Sequence, residues 1–118
     1  MNFDTFYTHC MSKPGVEETF PFDKDTLVMK VKGKMFALTG LEHEHFKVNL
    51  KCDPDWSIEL REQYEEIQAG WHMSKKHWNT VSGEGDLPDE LFIKLVDHSY
   101  ELVVAKLPKK LREELIGD

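Results

Sequence analysis

One segment of this 118-residue chain concentrates the side chains best suited to contact a ligand. It runs from Gly70 to Val81 and reads GWHMSKKHWNTV. Lysines in such a segment would contact phosphates, polar side chains would reach base edges, and an aromatic ring would stack on a base. The alternative is that both tryptophans fill the edge of the core, because large aromatic side chains are usually well buried. The candidate contact residues here are Trp71, His72, Lys75, Lys76, His77, Trp78 and Asn79.

The other residues capable of chemistry match no catalytic or metal-binding motif. The six histidines lack the HExxH spacing and do not combine with cysteines as in a zinc site. The chain also contains no GxSxG motif and no P-loop. Cys10 and Cys52 lack the CxxC spacing, which indicates free thiols in a reducing cytoplasm. We therefore expect a non-enzymatic cytoplasmic protein without a metal or another cofactor.

Charge is distributed unevenly along the chain, although its sum is -7. Residues 28–52 contain five lysines against two glutamates, and residues 71–81 add two lysines and no acid. The remaining segments are all acidic. Nucleic acid repels an acidic surface at long range, so a phosphate-bearing partner is expected to approach the two basic segments. The candidate lysines of the first basic segment are Lys30, Lys32, Lys34, Lys47 and Lys51.

Alternating polarity predicts strands in the first basic segment. Apolar side chains occupy every second position of residues 27–31, and a glycine suited to a tight turn follows. Residues 34–39 are expected to return as a second strand, with Phe36 and Leu38 on one face. A third strand is predicted over residues 46–52. The pattern indicates an antiparallel meander with one buried face and one lysine-rich face.

Apolar residues spaced as on one face of a helix predict helices at both ends and in the middle of the chain. The first is expected over residues 3–11. A second begins at Asp53, an N-cap followed by proline, and is expected to continue through Ile67. A third opens within residues 86–90, and a short helix over residues 109–115 follows.

These elements predict one α+β domain over residues 1–118, with a twisted antiparallel sheet and helices packed on one face. A further strand is expected at His77–Val81. Uninterrupted apolar runs such as Leu102–Ala105 reach only four residues, far below the ~20 of a membrane-spanning helix. No secretory signal is recognisable, and no membrane association is expected. The sequence does not predict an oligomeric state.

Several segments resemble the MmcQ/YjbR-like family. They are VMKVKGKMFA at residues 28–37, VNLKC at 48–52, GWHMSKKHWNTV at 70–81 and DHSYELVV at 97–104. The most specific part is the third, because family members resemble G-[YW]-H-M-[NS]-K-[KR]-H-W at this place. The resemblance covers nearly the whole chain. It implies a CyaY-like fold with a "double wing" DNA-binding motif, and it implies no catalytic residue.

The leading interpretation is a DNA-binding module that docks through two β elements. The hairpin around Lys32-Gly33-Lys34 would form one wing, and the segment from Trp71 to Val81 would form the other. One alternative is a cleft, lined by this segment and Tyr100, that binds a small planar ligand or an anionic metabolite. Another alternative is a protein-interaction domain with the tryptophans as its hot spot.

Overall fold

Helices lie before and after the strands in the chain, and one helix separates the first four strands from the last two. The computed structural model describes residues 1–117, and the predicted domain limit at Asp118 lies outside these residues. The helices are α1 (Phe3–Met11), α2 (Pro54–Gln63), α3 (Asp89–Ala105) and α4 (Lys109–Ile116). The strands are β1 (Val16–Thr19), β2 (Thr26–Val31), β3 (Lys34–Gly40), β4 (Lys47–Lys51), β5 (Ile67–Ala69) and β6 (Trp78–Ser82).

The strands form one antiparallel sheet in the order β1-β2-β3-β4-β6-β5. The helices lie together on one face of this sheet. Phe6 of α1, Leu60 of α2, Val96 of α3 and Leu115 of α4 join one buried cluster with the inward side chains of the strands. Burial of this apolar surface is the main source of stability. The predicted fold class, an α+β domain with helices on one sheet face, is confirmed.

Two local predictions depend on short-range signals, and the structure agrees with both. The Asp53 side chain accepts hydrogen bonds from the backbone N–H groups of Asp55 (3.0 Å) and Trp56 (3.2 Å) at the start of α2. The turn between β2 and β3 consists of Lys32 (φ 49°) and Gly33 (φ 79°). Positive φ at both central residues gives a two-residue turn whose twist matches that of the strands.

The prediction that the second helix continues through Ile67 is wrong. Helix α2 ends at Gln63, because Tyr64 adopts an extended conformation (φ -128°, ψ 122°). Ile67 instead begins β5 and pairs with Val81 of β6. Strand β1 is not predicted by the sequence pattern either, since its four residues are too few to show a clear alternation.

The prediction that Phe36 and Leu38 share a face is also wrong. Met29 pairs with Ala37 and Lys30 pairs with Met35, so Phe36 is an extra residue in β3. Such a β-bulge interrupts the alternation of side chains. Phe36 therefore joins the core beneath the helices, whereas Leu38 lies in a smaller cluster on the opposite face. Within residues 1–117, no helix combines the length and apolar character needed to cross a membrane.

Candidate nucleic-acid interface

The sheet face opposite the helices, called the open face below, carries lysines and a small apolar cluster. Val48 and Leu50 of β4 point into the helix-side core, so the residues that alternate with them lie on the open face. The apolar cluster contains Val28, Leu38 and Trp78. The open face comprises Glu17, Thr19, Val28, Lys30, Met35, Leu38, Lys47, Asn49, Lys51, Gln68, Trp78, Thr80 and Ser82.

The two tryptophans of the GWHMSKKHWNTV segment have opposite environments. The Trp78 side chain is only 6% exposed, and the Lys51 Nζ lies 5.7 Å from its ring centroid. Trp71 is 69% exposed, and its ring contacts that of His72 with 4.7 Å between centroids. The assignment of Trp78 as a contact residue is therefore corrected, because its ring is part of the apolar cluster. The alternative that both rings fill the core is wrong for Trp71.

The backbone of Trp71 is fixed to the open face by hydrogen bonds. Its N–H donates to Thr80 Oγ1 (2.9 Å), and its carbonyl accepts from Asn49 Nδ2 (3.2 Å). The Thr80 hydroxyl in turn donates to Asn49 Oδ1 (2.5 Å). The exposed ring thus projects from a backbone held by two adjacent strands. The next residue, His72, is exposed and adopts a left-handed conformation (φ 58°), which turns the chain immediately after Trp71.

Arg61 of α2 braces the other end of the segment. Its guanidinium donates to the backbone carbonyls of Lys75 (2.5 Å) and Trp78 (3.2 Å), and to Asn79 Oδ1 (2.8 Å). Asn79 is buried and also donates to Ser57 Oγ (3.1 Å). The assignment of Asn79 as a base-contacting residue is therefore corrected: its side chain faces α2 and its hydrogen bonds hold the helix to the sheet.

The predicted lysines fall into two groups. Lys30, Lys47 and Lys51 lie on the open face, and none of them forms an ion pair within residues 1–117. Lys32 differs, because its Nζ forms an ion pair with Glu114 of α4 (2.8 Å). The predicted hairpin wing is thus tied to the helical layer at its tip. The other exposed candidates are Lys34, Lys75, Lys76 and His77.

Lys51 is partly buried and lies near two other lysines. The pKa of Lys51 is below its ordinary value, first because the side chain is partly buried, and then because of the positive charges of Lys106 and Lys34. Lys106 caps the C-terminus of α3 and was not identified in the sequence. A nearby anion would relieve this repulsion between like charges. The acidic groups near these lysines include Glu17, which pairs with Lys30 in the β1–β2 register, and Glu65 and Glu66, which line a depression together with Lys47.

The residues that sequence reasoning missed are those that position the segment. Asn49 could have been noticed, because it lies between Lys47 and Lys51 on the same strand face. Nothing in the local sequence marks Arg61, because its hydrogen-bond partners come after β5 in the chain. The same is true of Thr80, whose hydroxyl accepts the N–H of Trp71.

The remaining titratable groups mainly support the fold. His98 Nε2 accepts a hydrogen bond from the Asp53 N–H (3.1 Å), and partial burial lowers the pKa of His98. Burial tends to raise the pKa of Asp97, but hydrogen bonds from Lys13 and His9 outweigh it and lower that pKa. In the part of the chain that the structure describes, no three His, Cys, Asp or Glu side chains cluster as a metal ion would need.

The cleft considered as an alternative from the sequence is not formed by the described residues. Tyr100 belongs to α3 and packs its ring against Phe36, with 5.4 Å between centroids. Its hydroxyl donates to the Pro14 carbonyl (2.6 Å) on the helical side of the sheet. Tyr100 is therefore separated from Trp71 by the sheet, and the ring of Trp78 is buried in the apolar cluster of the open face.

The same arrangement of helices on one antiparallel sheet occurs in solved structures. The DUF419-domain protein DR2400 of Deinococcus radiodurans superimposes with a TM-score of 0.90 and 42% identity, over 95% of this chain and 86% of that one. A protein from Pseudomonas syringae gives a TM-score of 0.74 and 26% identity, over 86% of this chain and 98% of that one. These matches define the structural class as that of DUF419-type α+β domains.

Sequence comparison then identifies the family. The model of the YjbR family matches residues 11–102. YjbR of Escherichia coli K12 is 34% identical over 116 residues, which cover 98% of each chain. YyaQ of Bacillus subtilis is 28% identical over 115 residues, which cover 84% of this chain and 95% of YyaQ. This chain belongs to the YjbR family, as the resemblance of its motifs predicts. Both relatives are described as uncharacterised, so they provide a family and no activity.

Proposed function

We propose that this chain is a DNA-binding domain without enzymatic activity, and that the open face of its sheet contacts the phosphate backbone. The observation that carries this proposal is the placement of Lys30, Lys47 and Lys51 on that face, where no acidic side chain of residues 1–117 forms an ion pair with them. Lysines on a solvent-facing strand can each neutralise a phosphate and release its counterion.

The acidic residues of the chain support one orientation of the bound DNA. The net charge is -7, and the helices, which carry ten of the 22 acidic side chains against five lysines and arginines, lie on the other face of the sheet. A polyanion approaching that side is repelled, whereas the open face attracts it. The resulting charge asymmetry favours binding through the strands, in keeping with the double-wing motif that the family resemblance implies.

The salt dependence of binding tests this proposal. In one variant Lys30, Lys47 and Lys51 are all replaced by glutamine. A matched control replaces three exposed lysines outside the open face with glutamine, and these are Lys24, Lys94 and Lys109. Both variants change the net charge equally. We expect the slope of log K against log[salt] to become shallower only in the open-face variant, by roughly 0.9 on duplex DNA or 0.7 on a single strand for each phosphate that the protein no longer neutralises.

Two results would refute the proposal. One is an absence of binding by the unmodified protein to any DNA at low salt. The other is an equal decrease of the slope in both variants, since this would show that net charge matters and the open face does not. Titration with a small anionic metabolite panel in parallel distinguishes a ligand-binding domain, for which the metabolite binds and DNA does not.

A further inference from the structure

Trp71 presents a flat aromatic surface that a partner can cover with little loss of conformational entropy. Its ring is 69% exposed, yet both polar groups of its backbone are hydrogen-bonded to side chains of β4 and β6. An exposed ring on a fixed backbone loses little freedom when a partner covers it, which favours binding. Asn49, the side chain beneath Trp71, lies between Lys47 and Lys51, each roughly 7 Å away along the strand. The backbone of Trp71 is therefore attached to β4 at a position flanked by two lysines.

The partner that fits this arrangement is an unpaired nucleic-acid strand. A base presents its face to an aromatic side chain only when it is unstacked, whereas a duplex presents base edges in its grooves. Lys47 and Lys51, on either side of Asn49 in β4, match the phosphates that flank such a base. Stacking on one ring and neutralisation by neighbouring lysines are the two contacts by which proteins hold single strands.

The hairpin between β2 and β3 also argues against groove reading of a duplex. Its turn has only two residues, and one of them, Lys32, is ion-paired to Glu114 of α4. The second, Gly33, has no side chain. The two turn residues are therefore poorly suited to reach base edges in a groove, and sequence reading of a duplex requires such contacts.

We propose that the DNA bound at the open face is single-stranded, with an unpaired base stacked on Trp71 and its neighbouring phosphates held by Lys47 and Lys51. This inference rests on the proposed function and specifies its substrate.

The test compares three DNA probes of equal length: a single strand of mixed sequence, the corresponding duplex, and an abasic strand. The variant is Trp71→Ala, and Trp71→Phe serves as a conservative replacement that keeps a stacking ring. Phe22→Ala is the matched control, because Phe22 is an exposed aromatic residue in the connection between β1 and β2. Thermal melts establish that each variant is folded.

We expect Trp71→Ala to weaken binding of the single strand by roughly 5- to 150-fold, the effect typical of removing one base stack. Binding of the duplex and of the abasic strand should change little, and Trp71→Phe should retain most of the affinity. Phe22→Ala should bind all probes as the unmodified protein does.

The inference fails if Trp71→Ala binds the single strand as well as the unmodified protein does, or if it weakens all three probes equally. In either case the lysine-dependent binding of DNA would remain, so the proposed function would stand. If the unmodified protein binds none of the probes, the proposed function itself fails. The two failures are therefore distinguishable.

Discussion

Replacing Trp71 and Trp78 by alanine, each in its own variant, distinguishes the buried ring from the exposed one. With 6% of Trp78 exposed, this side chain buries about 190 Å² if a tryptophan offers about 200 Å² in total. At about 25 cal/mol per Å², that burial contributes up to about 5 kcal/mol. Trp71, which is 69% exposed, buries only about 60 Å², or about 1.5 kcal/mol as an upper limit.

We therefore expect Trp78→Ala to lower the free energy of unfolding by about 3–5 kcal/mol, as truncation of buried aromatic residues does. Trp71→Ala should lower it by no more than about 1.5 kcal/mol. Urea denaturation followed by circular dichroism at neutral pH measures both variants against the same baseline. Because the chemical change is identical, the difference reports the environment of each ring alone.

A decrease of more than about 3 kcal/mol in Trp71→Ala would refute the reasoning, since the ring would then be packed in solution and could not serve as a stacking surface. A negligible decrease in Trp78→Ala would refute the apolar cluster on the open face. Lys51, whose ammonium lies over the Trp78 ring, should show a reduced contribution to DNA binding in the Trp78 variant.

Three further predictions concern His98, the two cysteines and the absence of a metal-ligand cluster in the described residues. The free energy of unfolding should fall as the pH drops below about 6.5. The pKa of His98 is lowered in the folded protein, so protonation favours the unfolded chain. A protonated ring also cannot accept the hydrogen bond from the Asp53 N–H. His98→Gln should flatten this part of the pH profile, and an unchanged slope would contradict the assignment. Cys10 and Cys52 should resist a thiol reagent at pH 8 until urea unfolds the protein, because burial raises the pKa of both thiols, that of Cys10 to about 12. Rapid modification of the native protein would show that they are accessible. Dialysis against a strong chelator should leave the melting temperature unchanged, since the described residues contain no ligand cluster, and a drop of several degrees would reveal a structural metal.

Local signals in the sequence determined several elements of this fold. Asp53 and Pro54 start α2 because a capping carboxylate and a proline act within one turn of the helix. The strands β2 and β4 follow from alternating polarity, which assigns each side chain to a face without knowledge of the partner strand. For the same reason the placement of Lys30, Lys47 and Lys51 opposite the core was predictable.

Contacts between segments far apart in the sequence determined the features that local signals did not predict. Phe36 joins the helix-side core because β3 has one more residue than β2 at this point, and nothing in its own segment marks the bulge. Ile67 has the spacing of a helical residue, yet it forms a strand because β6 offers its backbone hydrogen bonds to residues 67–69. Asn79 is buried because Arg61 and Ser57 of α2 contact it on the helical face of the sheet.

The GWHMSKKHWNTV segment shows the division most clearly. Its composition, two tryptophans and two histidines around two lysines, is a property of the sequence and identified the region and the family. Which tryptophan remains exposed was decided by the tertiary structure. Trp78 is buried because β6 pairs with β4 and sets its ring beside Leu38 and Val28. The side chains of Asn49 and Thr80 bind the backbone of Trp71, whereas its ring is not packed in the apolar cluster and remains exposed. Burial of a side chain depends on atoms that folding brings from distant strands, so local spacing does not determine it.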